Sequence, residues 1–252
     1  MIKKIIKISV VAVLCFGFQA CDKKLDEKSK TASENLEIKK DSIQTDITEK
    51  QNSELYNEHK NLFDILCLLP KNTMDSWGWT EADRKSFVDY IKTNNKVPSK
   101  HPNFQSFNFA GPNSIQIQVV DGVWTLAIYK IAIDQYIAIT DDIVGDGNTI
   151  KAFEYSNSKL QSIELSKVLN ADSFNNLLVN KNNLPCKEML EDNAISFAYD
   201  FSDKSIIKIS NTSLSEKENK NCLLGNTLTY RFNPDKKRFD LLSTTWTSEN
   251  QN

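Results

Sequence analysis

Two tryptophans around a glycine form the most suggestive chemical cluster in this sequence, Trp77-Gly78-Trp79. An exposed indole can stack on a sugar or anchor a protein interface, whereas a buried indole fills a corner of the core. The cluster comes directly before a predicted helix, where packing into a helix–helix corner is the commoner role. Trp77 and Trp79 are therefore candidate ligand or interface residues, with core packing as the alternative.

The two histidines are the natural candidates for acid–base chemistry. His59 lies between Glu58 and Lys60, and His101 precedes Pro102. No G-x-S-x-G turn or activated cysteine accompanies either histidine in the sequence, so we expect two solvated side chains. We predict no catalytic residue.

The acidic residues around Asp142 resemble a calcium loop only superficially. With Asp142 as the first ligand, Val144 and Phe153 would occupy the third and twelfth positions, where an EF-hand needs oxygen ligands. A hairpin is the better interpretation, and we predict no metal site and no cofactor. A pair of carboxylates of the glycosidase type stays open, because a sequence gives no distances.

The N-terminus has the pattern of an export signal. Lys3, Lys4 and Lys7 precede an apolar run from Ile8 to Phe18. A membrane-spanning helix needs about 20 apolar residues, so this run is too short to cross a bilayer. A positive segment followed by a short apolar segment is typical of a secretory signal peptide, which we assign to residues 1–20.

The end of that run, Phe18-Gln19-Ala20-Cys21, resembles the lipobox of bacterial lipoproteins, although Phe18 and Gln19 depart from its commonest pattern. In that family the cysteine thiol is joined to diacylglycerol and the preceding peptide is removed. The resemblance implies that Cys21 carries the lipid and that its acyl chains bind membrane lipid. Two or three acyl chains hold a protein stably on a bilayer. We expect anchoring in the cell envelope, on the periplasmic or surface side of the outer membrane rather than in the inner membrane.

The segment after Cys21 is strongly polar. Residues 22–50 hold seven lysines and eight acidic residues. Such a composition buries too little apolar surface to offset the entropy of ordering, so residues 21–52 are predicted to be a flexible tether reaching about 30 Å. A frayed amphipathic helix from Ser33 onward is the alternative.

Three further cysteines follow the anchor, and export would place them where a disulfide can persist. Cys67 lies in an apolar stretch and is predicted to act as a small buried hydrophobe. Cys186 and Cys222 lie in polar contexts on either side of the Tyr199 segment, so we predict a disulfide between them. A zinc site is disfavoured, because the sequence has no C-x-x-C and only two histidines.

Residues 53–252 are predicted to form one globular domain that begins with helices. Apolar residues between Leu55 and Leu69 recur at helical spacing before Pro70, and Thr80 is placed to cap a second helix. Short helices are also predicted at residues 173–179 and 185–190.

After the helices, apolar residues recur at every second position, which is the spacing of a β-strand. Apolar residues alternate on both sides of a hairpin turn at Asp121-Gly122, and strands are predicted at 136–140 and 149–155. Three segments in which two aromatic residues flank a charged residue begin at Phe153, Tyr199 and Tyr230. Each precedes a lysine-containing turn and a further strand. We predict three related hairpins in one antiparallel sheet or open barrel. The fold class is therefore α+β, with N-terminal helices followed by a largely antiparallel β-sheet built from hairpins.

Composition limits the function classes. The net charge is −2 and only three residues are arginine, so bidentate recognition of nucleic acid is not expected. The favoured hypothesis is a non-catalytic binding or inhibitory module, tethered to the envelope, with an envelope protein or glycan as partner. An envelope glycan hydrolase and a structural accessory of an envelope assembly are the alternatives.

Overall fold

The structure is a computed structural model that describes residues 54–74, 77–145, 147–169, 174, 178–180, 197–211 and 213–247. These residues belong to one compact unit, Ile43–Asn252. The predicted signal peptide, Cys21 and the tether lie outside the described residues. Most of the regular structure is β-strand, arranged in two antiparallel sheets with a few helices. No helix in the described residues is long and apolar enough to cross a bilayer.

Within residues 54–105, as far as the structure describes them, three helices precede the first strand. They are α1 (Glu54–Glu58), α2 (Lys60–Leu68) and α3 (Glu81–Asn94), with a 3-10 turn at Lys71–Thr73. The predicted helix before Pro70 is thus interrupted at His59. Helix α3 begins as predicted after Thr80, whose hydroxyl accepts from the Asp83 backbone N–H while the Asp83 carboxylate accepts from the Thr80 N–H.

Six strands form the first sheet in sequential order. They are β1 (Ser106–Gly111), β2 (Ser114–Val119), β3 (Gly122–Ala132), β4 (Gln135–Val144), β5 (Gly147–Ser156) and β6 (Lys159–Ile163). The predicted Asp121-Gly122 hairpin is confirmed, because Val119 pairs with Gly122 across it. Strands β4 and β5 cover the two further predicted strands and extend beyond them.

Four strands form the second sheet, in the order β10-β9-β8-β7. They are β7 (Ala198–Asp200), β8 (Ile206–Ser210), β9 (Thr227–Asn233) and β10 (Arg238–Thr245). In the described parts of the connections lie two short helices, α4 (Leu165–Val168) and α5 (Glu216–Asn219). The three predicted hairpins exist as β5–β6, β7–β8 and β9–β10. Their assignment to one sheet was wrong, since β5–β6 belongs to the first sheet and the other two to the second.

Both faces of the first sheet are buried. Trp124 and Leu126 of β3 pack with the side of α2 and α3 that carries Phe63 and Phe87. The alternate residues of β3, such as Ala127 and Tyr129, pack instead with residues of the second sheet that include Ile207 and Leu228. Because successive side chains of a strand point to opposite faces, the first sheet is the middle layer of a helix–sheet–sheet arrangement. Of the two predicted short helices, 185–190 lies outside the described residues and 173–179 lies largely outside them.

Candidate ligand-binding site

A polar cleft of about 440 Å³ opens where the β4–β5 turn meets the 3-10 turn after α2. Val144 and Gly147 contribute to its wall beside the turn. Its polar wall is formed by Asn72, Thr73, Asp142, Asn148, Thr149 and Lys151. The size lies within the range of small-molecule sites.

The wall that belongs to the 3-10 turn is held on the sheet by two side chains. The indole Nε1 of Trp124 donates to the carbonyl oxygen of Thr73 at 2.8 Å, from the face of β3 that packs on the helices. The Lys151 ammonium on β5 donates to the carbonyl oxygen of Asn72. These bonds fix the turn relative to β4 and β5, so the cleft has a defined shape.

A smaller pocket of about 280 Å³ adjoins the cleft through a shared residue, Val144. The pocket is lined by Trp77, Pro102, Asn103, Val119, Val120 and Asp121 as well. Val120 and Val144 are exposed large apolar residues, so this end of the sheet presents apolar surface beside the polar cleft. We call this smaller cavity the Trp77 pocket.

The structure separates the roles of the two predicted tryptophans. Trp79 is 1% exposed and packs edge-on against Phe87 and Phe104, with ring centroids 5.4 and 5.6 Å apart. The prediction that it could contact a ligand was wrong for this residue, because its indole is part of the core. Trp77 is half-buried and lines the pocket. Its ring centroid lies 5.1 Å from that of Trp79 and 6.2 Å from that of Trp124. Trp77 therefore remains a candidate ligand residue.

The histidines are not solvated, and that expectation was wrong. The side chain of His59 is 11% exposed and stacks on Phe109 at a centroid distance of 3.9 Å. His101 stacks on Phe104 at 4.2 Å and meets Trp79 edge-on, while its Nδ1 accepts from the Asn103 N–H. Burial lowers the pKa of both imidazoles, so they favour the neutral form. Both rings serve as aromatic packing elements, His59 against Phe109 of β1 and His101 against Phe104.

Asp141 and Asp142 are consecutive on β4 and occupy different environments. Asp142 lines the cleft, whereas Asp141 is 1% exposed and its Oδ1 has no hydrogen-bond partner. Burial, aided by the charge of Asp142 and opposed by a hydrogen bond from Asn148, raises the pKa of Asp141 to about 7. Because consecutive residues of a strand point to opposite faces, these two carboxyls do not flank one bond of a common substrate.

The cysteines beyond the anchor differ in state. Cys67 is a half-buried free thiol that packs against the helix-side core, as predicted, and burial raises its pKa to about 11. Cys222 is not free. Its predicted partner, Cys186, lies outside the described residues, so the disulfide stays a prediction. Among the described residues, no cluster of three or more His, Cys, Asp or Glu side chains is placed to hold a metal ion.

Comparison with known proteins gives a fold relationship. No protein-family model matches the chain, and no curated protein matches it. A solved structure of a domain of an uncharacterized protein from Porphyromonas gingivalis W83 is similar, with a TM-score of 0.51 and 13% sequence identity. The similarity covers 72% of this chain and 98% of that domain. At this identity the likeness concerns the fold alone.

Proposed function

We propose that the protein is an exported lipoprotein whose folded part is a non-catalytic binding or inhibitory module in the cell envelope. In this proposal residues 1–20 are removed, Cys21 carries the lipid, residues 21–52 are the tether and residues 53–252 form a single α+β domain. In this proposal the lipid anchor is inserted in the outer membrane, with the folded domain on the periplasmic or surface side. The lipobox-like end of the leader supports the anchor.

The polar cleft with its adjoining Trp77 pocket is the observation that carries the binding role. Its walls come from the 3-10 turn, β4 and β5, and two hydrogen bonds hold the turn against the sheet. A cavity with polar groups next to a partly exposed indole is the arrangement expected of a ligand site. The cleft therefore supports a binding role that does not depend on the anchor.

The surroundings of the titratable groups support binding rather than catalysis. Both imidazoles are held in ring stacks. A general base must reach a substrate proton within hydrogen-bond distance, and stacked, largely buried rings are poorly placed for that. The buried carboxyl of Asp141 and the cleft carboxyl of Asp142 point to opposite faces of the sheet.

The anchor is tested by mass spectrometry of the full chain from a bacterial host that processes lipoproteins. We expect an N-terminal peptide that begins at Cys21 and carries diacylglycerol and an amide-linked acyl chain. A Cys21→Ser variant should lose the lipid and leave the membrane fraction, whereas a Cys15→Ser variant should behave as the wild type. An intact leader or an unmodified Cys21 in the wild type contradicts the anchor.

The binding role is tested by a photoreactive amino acid in place of Thr149, an exposed residue of the cleft, in the full chain in its native envelope. The control has the same group at Lys208, an exposed residue of the second sheet. We expect a discrete adduct from position 149 that is not formed from position 208. Equal labelling from both positions, or none from 149, contradicts a binding role for the cleft. Release of cleaved glycan by the purified chain would favour the hydrolase alternative.

A further inference from the structure

We propose that the ligand of the cleft and the Trp77 pocket is a neutral oligosaccharide segment of at least two sugar units. This inference rests on the proposed binding role and assigns the chemical class of the ligand. It follows from the charge balance of the cleft, from the hydrogen-bonding groups on its walls, and from the position of one indole.

The charges of the cleft do not favour an ionic ligand. Among the described residues, the lining of the cleft has one carboxylate, Asp142, and one ammonium, Lys151. The Lys151 ammonium is already bonded to the Asn72 carbonyl, where it holds the 3-10 turn. The Asp142 carboxylate would repel a phosphate or carboxylate ligand. The Lys151 ammonium stays charged in its bond to a carbonyl and would repel a cationic ligand. A neutral ligand avoids both costs.

The remaining wall groups match hydroxyls. Asn72 and Thr149 are exposed, and an amide or a hydroxyl can both donate and accept a hydrogen bond. Asn148 is already engaged, because its Nδ2 donates to the Phe197 carbonyl at 3.2 Å and its side chain also hydrogen-bonds Asp141. A sugar ring carries several hydroxyls that also donate and accept, so each can pair with a neutral wall group without a change of protonation.

The adjoining pocket supplies an apolar stacking surface. Trp77 and Val120 line it, and two polar residues, Asn103 and Asp121, belong to the same lining. A sugar has an apolar C–H face and polar edges, which suits an aromatic ring bordered by hydrogen-bonding groups. Val144 lines both cavities, so they are neighbours. A ligand that contacts both must be longer than one sugar unit.

The test uses the full chain in a detergent without a sugar headgroup. The neutral probes are the trimers of N-acetylglucosamine, glucose (maltotriose) and β-linked glucose (cellotriose), and the charged probes are inorganic phosphate and the glucosamine trimer. Titration calorimetry and indole fluorescence measure binding. We expect saturable binding of at least one neutral trimer and weaker binding of both charged probes.

The Trp77 contact is tested with matched tryptophan variants. Trp77→Ala should weaken binding of the trimer by about tenfold, which corresponds to about 1.4 kcal/mol and lies within the range of aromatic contacts. Trp77→Phe should retain most of the affinity, and Trp246→Ala, at a half-buried indole that packs against the other core, should leave it unchanged. Thermal unfolding of each variant shows that it is folded. No saturable binding of any neutral trimer, or equal effects of Trp77→Ala and Trp246→Ala, would overturn the inference.

Failure of this inference is separable from failure of the proposed function. A protein adduct from the photoreactive group at position 149, together with no trimer binding, overturns the saccharide class and leaves the binding role standing. Trimer binding followed by cleavage supports the saccharide site and overturns the non-catalytic role.

Discussion

The guanidinium of Arg84 on α3 donates through Nη1 to the carbonyl oxygen of Trp79 at 2.7 Å. Its Nε donates to the Leu66 carbonyl at 2.9 Å, and Nη2 donates to the Leu69 carbonyl. Arg84 is fully buried, so these three carbonyls take the place of water around its charge. Two of them lie at the C-terminal end of α2, where the helix dipole is negative. Arg84 thus joins α2, α3 and the segment that carries Trp77.

Arg84→Met should strongly destabilise the protein, because it removes the donors of three buried carbonyl groups. Each unsatisfied buried group costs about 1–3 kcal/mol, so a loss of several kcal/mol in the free energy of unfolding is expected. The matched control is Lys85→Met, which removes an exposed ion pair with Glu81 and should change stability by less than about 0.5 kcal/mol. Urea titration measures both, and a similar small effect of both substitutions would contradict the role given to Arg84.

Local patterns were sufficient to predict the strands and the start of α3. The alternation of Ile115 and Ile117 with polar residues, and the cap at Thr80, act within a few residues of the chain. The number of sheets was not predictable in this way. The hairpin chemistry at Tyr155 and Tyr230 is similar, and only the pairing of β5 with β4 and of β9 with β8 places one hairpin in the first sheet and the other in the second.

The site was predictable only in part, because burial decides the role of each residue. Trp77 and Trp79 are equivalent in sequence, yet only Trp77 lines a cavity. His59 is flanked by charged neighbours, which favoured a solvated side chain, but Phe109 from β1 covers it. Arg84 lies on the same helix face as Phe87 and Ile91, so its spacing is that of a buried residue. Its charge alone argued for exposure, and no local signal shows that carbonyls distant in sequence surround it.

Thr80→Ala should destabilise the protein by about 1 kcal/mol, since it removes the hydroxyl half of the α3 capping box. Thr93 on the same helix donates its hydroxyl to the Asp89 carbonyl, four residues back, so Thr93→Ala is the control. We expect the control to lie within about 0.5 kcal/mol of the wild type. If thermal unfolding shows that Thr80→Ala and Thr93→Ala lose the same stability, the capping hydroxyl contributes no more than an ordinary hydroxyl of this helix.

Gly122→Ala should distort the β2–β3–β4 pairing. A Cβ at this position would lie 1.9 Å from the Ile143 carbonyl oxygen, so the backbone must shift. We expect a loss of more than about 2 kcal/mol, in line with severe overpacking. Gly147→Ala is the control, because nothing lies within 4 Å of the added Cβ there. Chemical denaturation separates the two, and a wild-type stability for Gly122→Ala would contradict the close approach.

The predicted disulfide between Cys186 and Cys222 should stabilise the fold by about 3–4 kcal/mol on the chain-entropy argument. Cys222→Ala should therefore lower the unfolding temperature of the oxidised protein. Cys67→Ala, at the free thiol, should have a smaller effect. Reductant should lower the unfolding temperature of the wild type to that of Cys222→Ala and leave that variant unchanged. Peptide mapping without reductant that recovers Cys186 as a free thiol or in another pairing would contradict the prediction.

The buried carboxyl of Asp141 should make stability depend on pH. Its pKa is raised from 3.8 to about 7, chiefly by burial, so between those values the folded state binds more protons than the unfolded state. The contribution of Asp141 to the free energy of unfolding should then fall as pH rises from about 4 to about 7 and level off above that range. The whole change has an upper bound of about 4 kcal/mol, because each unit of pKa shift corresponds to about 1.4 kcal/mol. The lowered pKa values of His59 and His101 contribute in the opposite direction below their usual value.

Asp141→Asn should flatten this dependence, because an amide does not ionise. The free energy of unfolding of the variant minus that of the wild type should be larger at pH 8 than at pH 5. Urea titrations of both proteins at the two pH values measure this difference. Asp142→Asn is the control: it keeps the Asp141 carboxyl and removes one charge that raises its pKa, so the slope should persist and end at a lower pH. A wild-type slope that survives in Asp141→Asn would show that another group titrates in this range and that the Asp141 carboxyl is ionised in the folded protein throughout.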